Sequence, residues 1–313
     1  MRVLFLDTVH PILEEQLVAA GFDCDHDTTS SYEAILSIIE AYDGIVIRSR
    51  IPMNSQLFQA GRNLKFIARS GAGLENIDLD EAKQHGITVF SSPEGNRDAV
   101  GEQAIGMLLM LFNHLKKADL EVRKGIWLRE ENRGLELAGK TVGIIGYGVM
   151  GQALAKKLSG FDCTVLAHDK YKKGFSDAFV DEVSLSELQD RSDIISLHLP
   201  QSEETHYFMN DSFIQSCAKP FYLINTARGK NVQTSALVGG LQSGAILGAC
   251  LDVLEYEKGT FEGLNAAQLP ADFQYLIQSE QVVLSPHVAG WTAESYVKLS
   301  TFLAEKILAK FKA

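Results

Sequence analysis

The sequence predicts an α/β protein with two doubly wound parallel sheets. Three observations carry the prediction. β-rich runs alternate with longer segments of helical spacing, several of those segments end at glycine, and the alternation is interrupted once and then resumes. In the first series the strands are "VLFLD" (3–7), "GIVIRS" (44–49), "LKFIARS" (64–70) and "GITVFSS" (86–92). Between them "PILEEQLVAAG", "SYEAILSIIEAY", "NSQLFQAG" and "DLDEAKQHG" read as helices. Helical spacing then runs unbroken from about Asp98 to Arg123, and the polar connector "GIWLREENRGLELAGK" follows. A second series begins at "TVGIIG" (141–146) and continues through "CTVLAHD", "DIISLHLP", "FYLINTA", "ILGACLDV" and "QVVLSPH". The last stretch, "WTAESYVKLSTFLAEKILAKFK", reads as one amphipathic helix. The organisation predicts one domain over 98–286 and a second, discontinuous one from 1–97 with 287–313.

At 313 residues there is chain enough for two cores. Hydrophobic residues make up 46% and charged ones 22%, which is ordinary for a soluble globular chain. Lys and Arg number 29 against 40 Asp and Glu, a net charge of −11, and no basic block occurs; nucleic acid and anionic membrane are excluded as expected partners. The start, "MRVLFLDT", has no cleavage-site pattern and reads as a strand. The apolar run "AIGMLLMLF" (104–112) is too short to span a bilayer and reads as a core helix. Cys24, Cys163, Cys217 and Cys250 lie far apart. They predict reduced thiols in a cytoplasmic protein, with no disulfide framework and no metal site.

"VGIIGYGVMGQALAKKL" sets Gly146, Gly148 and Gly151 between a strand and a helix. The first glycine permits the tight turn, the second admits a pyrophosphate, and the third lets helix and strand approach. The helix N-terminus adds unpaired N–H groups and a positive dipole. Asp169, closing "VLAHD", stands where a carboxylate hydrogen-bonds the ribose diol and disfavours a 2′-phosphate, so NAD is the expected cofactor. Lys170, Lys172 and Lys173 nearby soften that exclusion.

Binding a dinucleotide names no reaction; side chains must. Interconverting a 2-hydroxy acid and a 2-keto acid beside a nicotinamide needs a cation for the carboxylate, a proton shuttle and a group that orients the shuttle. Arg228, at the end of "YLINTARGK", offers a planar fork that stays charged. His287 in "LSPHVAG" ends the last apolar strand, where sites cluster in open α/β sheets. A carboxylate beside it would favour its charged form, and Glu255, Glu257 and Glu262 are candidates that composition does not separate.

The motifs "GIIGYGVMG", "LHLP", "NTARGK", "LDVLEYE" and "SPHVAGW", in this order and spacing, resemble the D-isomer-specific 2-hydroxyacid dehydrogenase family over essentially the whole chain. "ARSGAGLENIDLDEAKQHGITVFSSPEGNRDAVGEQAIGMLL" is similar to that family's hinge region. The resemblance implies a Rossmann NAD domain inserted in a discontinuous flavodoxin-like substrate domain. It makes Arg228, Glu257 and His287 the catalytic triad, and its register selects Glu257, five residues after Asp252. It implies cofactor contacts from Val149, Met150, Leu199, Pro200, Thr205, Thr226, Ala227, Arg228, Asp252 and Ala289, and substrate contacts from the Ala72–Gly73 backbone. His198 reads as structural. A homodimer through the 98–135 region is also implied. Two departures stand out: Lys258 occupies a position where proline is usual, and 259–280 is long and unlike the family's pattern. Trp291, bulky and directly after "VAG", is read as packing the last helix, with lining of the cleft as the alternative.

Arg48 and Arg69 match substrate-binding positions of phosphoglycerate-type members, which makes D-3-phosphoglycerate dehydrogenase without its regulatory domain the expected activity. Salt bridges within the fold are the competing explanation of these arginines. The alternatives are a hydroxypyruvate, glyoxylate or D-lactate reductase on the same scaffold and, outside enzymes, an NAD-sensing corepressor-like binding protein.

Overall fold

A computed structural model describes residues 1–257 and 270–311. The chain divides into two compact units, Met1–Arg97 with Trp291–Ala313, and Asp98–Gly290. The second crossing thus falls at Gly290, later than the sequence placed it, and His287 belongs with Asp98–Gly290.

The first unit holds β1 (Arg2–Phe5), β2 (Asp23–His26), β3 (Gly44–Ile47), β4 (Phe66–Arg69) and β5 (Thr88–Ser91), all parallel, in the order β2-β1-β3-β4-β5. This is the flavodoxin-like order. Alternation along β1 sends Val3 and Phe5 to one face and Leu4 to the other. Leu13 and Leu17 of helix Ile12–Ala19, with Leu303, Ala304 and Ile307 of helix Ala293–Phe311, cover the first face. Helices Tyr32–Ile38, Ser55–Ala60 and Leu79–Gln84 cover the second. Each of those three starts where the sequence supplies a capping side chain: Ser31, Asn54 and Asp78 accept from the N–H groups of Ala34, Leu57 and Glu81. Strand β2 was not foreseen. It is an edge strand of sequence "DCDH" with no fully buried residue, so it lacks the apolar signature of its neighbours.

The second unit carries β6 (Thr141–Ile145), β7 (Thr164–His168), β8 (Asp181–Glu182), β9 (Ile194–Leu197), β10 (Phe221–Asn225), β11 (Ile246–Leu251) and β12 (Val282–Leu284). They form a parallel sheet of order β12-β11-β10-β9-β6-β7-β8, the Rossmann arrangement with one strand added. Helices Arg97–Phe112 and Val149–Leu158 pack one face through Ala104, Leu108, Phe112, Leu154 and Leu158. Helices Leu185–Arg191, Asp211–Gln215, Thr234–Ser243 and Ala271–Gln278 pack the other. The two parallel sheets bear out the predicted fold class. One element differs: the single helix expected over 98–123 is two, Arg97–Phe112 and Leu115–Arg123, because His114 between them is left-handed with φ 49°. The connector 125–140 holds neither helix nor strand. The departures at Lys258 and in the first part of 259–280 lie outside the described residues, as does Glu262; within 270–280 the chain forms helix Ala271–Gln278.

All four cysteines are unpaired; burial pushes the thiols of Cys24 and Cys217 up to about 11 and raises that of Cys250 further. Among the described residues no helix is long and apolar enough to cross a membrane.

Candidate active site

Strands β10, β11 and β12 are neighbours in the sheet, so the loops that leave their C-terminal ends emerge side by side. Arg228 follows β10, Glu257 follows β11 and His287 follows β12. His287 Nδ1 lies 2.6 Å from Glu257 Oε2, with both side chains largely shielded from solvent. The other Glu257 oxygen accepts the N–H of Leu254, which fixes the carboxylate's direction. Glu255, two residues earlier, is engaged elsewhere: its Oε2 accepts the Thr234 N–H at 2.7 Å, at the start of helix Thr234–Ser243. Gly229 explains how the Arg228 turn comes up against the Glu257 loop. A β-carbon there would stand 1.9 Å from the carbonyl oxygen of Leu254, so only glycine permits the approach. Asn225, wholly buried, staples the same turn by donating to Arg228 O at 3.0 Å and accepting from Ala227 N at 3.1 Å.

The His287 loop is held by Asp252, which is 1% exposed. Its carboxylate accepts from Ser285 Oγ at 2.5 Å, Val288 N at 2.9 Å and Ala289 N at 2.8 Å, while its carbonyl accepts from His287 N at 2.7 Å. His287 itself has φ 55°, a left-handed conformation that a non-glycine residue keeps only when its surroundings dictate it. Asp252 and Ala289, which the resemblance makes cofactor contacts, thus also hold the His287 loop. Asn225 and Ser285 were missed. Their one signal was a polar residue closing an apolar strand.

The glycine turn fits a pyrophosphate. Gly146 has φ 93°, and a β-carbon there would meet His198 O at 2.5 Å. A β-carbon on Gly151 would stand 2.3 Å from Gly146 O, whereas around Gly148 the space is open. Gly148 precedes helix Val149–Leu158 with no side-chain cap, so the N–H groups at Val149 and Met150 are available to an anion. Asp169 Oδ2 accepts from Tyr147 N at 2.8 Å, and Oδ1 accepts from Tyr171 N and Lys172 N at 2.9 Å each. Desolvation alone would raise its pKa; the three backbone donors and Lys172 outweigh it and lower the value. A carboxylate has about four acceptor sites, so capacity remains for a ribose hydroxyl. Thr205, beside Leu199 and Pro200, spends its hydroxyl on Pro200 O at 2.7 Å and shapes that turn. Thr226 Oγ1, next to the buried Ala227, is enclosed without a hydrogen-bond partner among the described residues, as a site awaiting a polar ligand would be. These residues fit NAD.

In the first unit Arg48 and Arg69 leave the ends of β3 and β4. Asp7 receives the N–H groups of Arg48, Ser49 and Arg50 at 2.6, 3.2 and 3.4 Å. The Arg50 fork is spent on the carbonyls of Leu6, Ser30 and Asp27. Arg69 Nε donates to Arg48 O at 3.2 Å. The Arg48 guanidinium stacks on the Trp291 ring, 4.2 Å from its centroid, and burial lowers its pKa against the attraction of Asp7. Trp291 is 58% exposed, so the sequence reading of it as packing for the last helix gives way to a cation–π partner. The N–H groups of Ala72 and Gly73 donate to no described residue.

The model of the "D-isomer specific 2-hydroxyacid dehydrogenase, NAD binding domain" matches residues 105–289. A hydroxypyruvate reductase of Thermotoga maritima is 36% identical over 88% of this chain and 87% of its own. A D-3-phosphoglycerate dehydrogenase of Archaeoglobus fulgidus is 31% identical over 98% of this chain, which spans only 57% of that longer protein. Among solved structures, D-lactate dehydrogenase from Aquifex aeolicus, complexed with NAD and lactic acid, superposes with a TM-score of 0.81 at 29% identity, covering 99% of this chain and 95% of that one. With a glycine turn that fits NAD and a matched sequence spanning both units, the chain belongs to the D-isomer-specific 2-hydroxyacid dehydrogenase family, whose members are NAD-dependent oxidoreductases acting on CH–OH groups.

Proposed function

We propose that the chain interconverts a D-2-hydroxy acid bearing a second anionic group with its 2-keto acid, the pair being D-3-phosphoglycerate and 3-phosphohydroxypyruvate. The observation that carries this reading is the Arg48 guanidinium, half-buried at the end of β3 with Arg69 beside it and without a hydrogen-bonded acceptor among the described residues. A buried cationic fork with no acceptor is costly unless an anion completes it.

Bound NAD supplies the nicotinamide that exchanges hydride with C2. The protein's own residues do the rest. Arg228 holds the substrate carboxylate and polarises the neighbouring carbonyl. The N–H groups of Ala72 and Gly73 are assigned to a substrate anion. Because Nδ1 of His287 is committed to Glu257, Nε2 is the nitrogen that gives its proton to the carbonyl oxygen on reduction and takes it back on oxidation. Glu257 orients the ring and stabilises the imidazolium; Asp252 positions the loop.

A second reading, reduction of hydroxypyruvate or glyoxylate, is supported by the near-complete two-way coverage of the Thermotoga relative. Steady-state kcat/KM for 3-phosphohydroxypyruvate and hydroxypyruvate decides between them. A preference for the phosphorylated acid is expected, and equal values would dispose of it. We also assign a second copy of this chain to the apolar surface of 115–135, where helix Leu115–Arg123 buries no residue and Trp127 is 76% exposed.

A further inference from the structure

Three arginines sit at the loop edge of β3 and β4, and their forks have different fates. Arg50 is consumed by three backbone carbonyls. Arg69 is turned back toward the chain, with Nε on Arg48 O, over a Gly71 whose β-carbon would stand 1.8 Å from its Nη1. The Arg48 guanidinium carbon lies over an indole ring, 4.2 Å from its centroid. Asp7, the carboxylate whose attraction acts on Arg48, is occupied by three backbone N–H groups, so it sets the turn that carries Arg48.

We propose that Trp291 is the positioning residue that presents the Arg48 fork to the substrate's second anionic group, and thereby sets substrate preference. The role rests on the reading of Arg48 given above. Stacking engages the guanidinium through its π face and leaves the in-plane N–H donors open, which is the edge that grips a phosphate bidentately. A long side chain without such a support would lose rotamer entropy each time an anion bound; one already immobilised on a ring does not. Trp291 contributes no core, being 58% exposed, and it stands at the first position of the returning segment Trp291–Ala313. The ring and the cation thus belong to the same unit although 243 positions separate them (291 − 48). Bulk alone would not explain an aromatic residue here, since the contact it makes is with a charge.

The test compares kcat and KM for 3-phosphohydroxypyruvate and hydroxypyruvate, with Tm, in the wild type, Trp291→Leu, Trp291→Phe and Arg48→Ala. Trp291→Leu is expected to raise KM for the phosphorylated acid about two- to fivefold, the scale of a cation–π contact at an exposed site. It should leave KM for hydroxypyruvate, kcat and Tm near their wild-type values. Trp291→Phe, which keeps a ring, should recover most of the loss. An equal change with both acids, or none with either, in an enzyme where Arg48→Ala does discriminate, overturns the role of Trp291 alone. If Arg48→Ala fails to separate the two acids, the anionic-tail reading falls, and this inference with it.

Discussion

His287 and Glu257, 2.6 Å apart on loops that follow adjacent strands, form the contact to which the proposed proton transfer is assigned. His287→Ala is expected to lower kcat by roughly two to four orders of magnitude, a general acid's usual share, in single-turnover measurements of reduction. Glu257→Gln keeps the shape and removes the carboxylate that faces Nδ1 of the ring. The kcat for reduction should fall while KM for NADH holds, and an unchanged kcat would take Glu257 out of the proposed mechanism. The two loops drew notice in the sequence because each follows an apolar strand and carries an ionisable side chain. What singled out Glu257 from Glu255 was the motif's register; in the fold Glu257 lies against His287, while Glu255 receives the Thr234 N–H at a helix start. Trp291 was misjudged because a large aromatic at the start of an amphipathic helix reads as core, and its cationic partner lies far away in sequence.

Among elements, the loops after β10 and β11 depend on one missing methyl group. Gly229→Ala would drive a β-carbon to within 1.9 Å of Leu254 O, and backbone must move. A loss of about 1–3 kcal/mol in denaturant unfolding, with a fall in kcat larger than that in NAD affinity, is expected. The helix Leu115–Arg123 and the segment after it present Leu115, Leu120, Val122, Ile126 and Trp127 to solvent. If a second copy covers them, Trp127→Asp yields a monomer in light scattering at concentrations where the wild type is dimeric. Strong apolar strands and their capped helices could be read in advance. Strand β2, strand β8 and the break at His114 could not, because edge strands carry polar residues and a left-handed histidine leaves no compositional mark.

For the molecule as a whole, acid is the informative stress. His198 keeps some accessible surface as a residue, yet its ring is desolvated, which pushes its pKa from 6.5 down to about 4. Its Nε2 lies 2.9 Å from Ser196 Oγ. An unfolded chain binds the proton that this folded site refuses, so the stability is full above about pH 6.5 and is lost as pH falls toward 4. Tm measured between these limits should decline, and His198→Asn should flatten the decline. The order of both sheets was legible as a class from alternating strands and helices. The position of the second crossing was not, because the loop that carries His287 is drawn into Asp98–Gly290 by four contacts with Asp252, and those cross a long stretch of sequence.

The helix Ala293–Phe311 supplies Leu303, Ala304 and Ile307 to the face formed by Val3, Phe5, Phe66 and Ala68. During translation the ribosome delivers that helix after the entire Asp98–Gly290 segment. Until then Leu13 and Leu17 of helix Ile12–Ala19 are the early-made cover of that face, and the part that Leu303, Ala304 and Ile307 fill stays open. The amino-terminal sheet therefore completes its apolar cover with a helix made after the whole middle segment, and that uncovered patch is where a nascent chain is prone to wrong contacts.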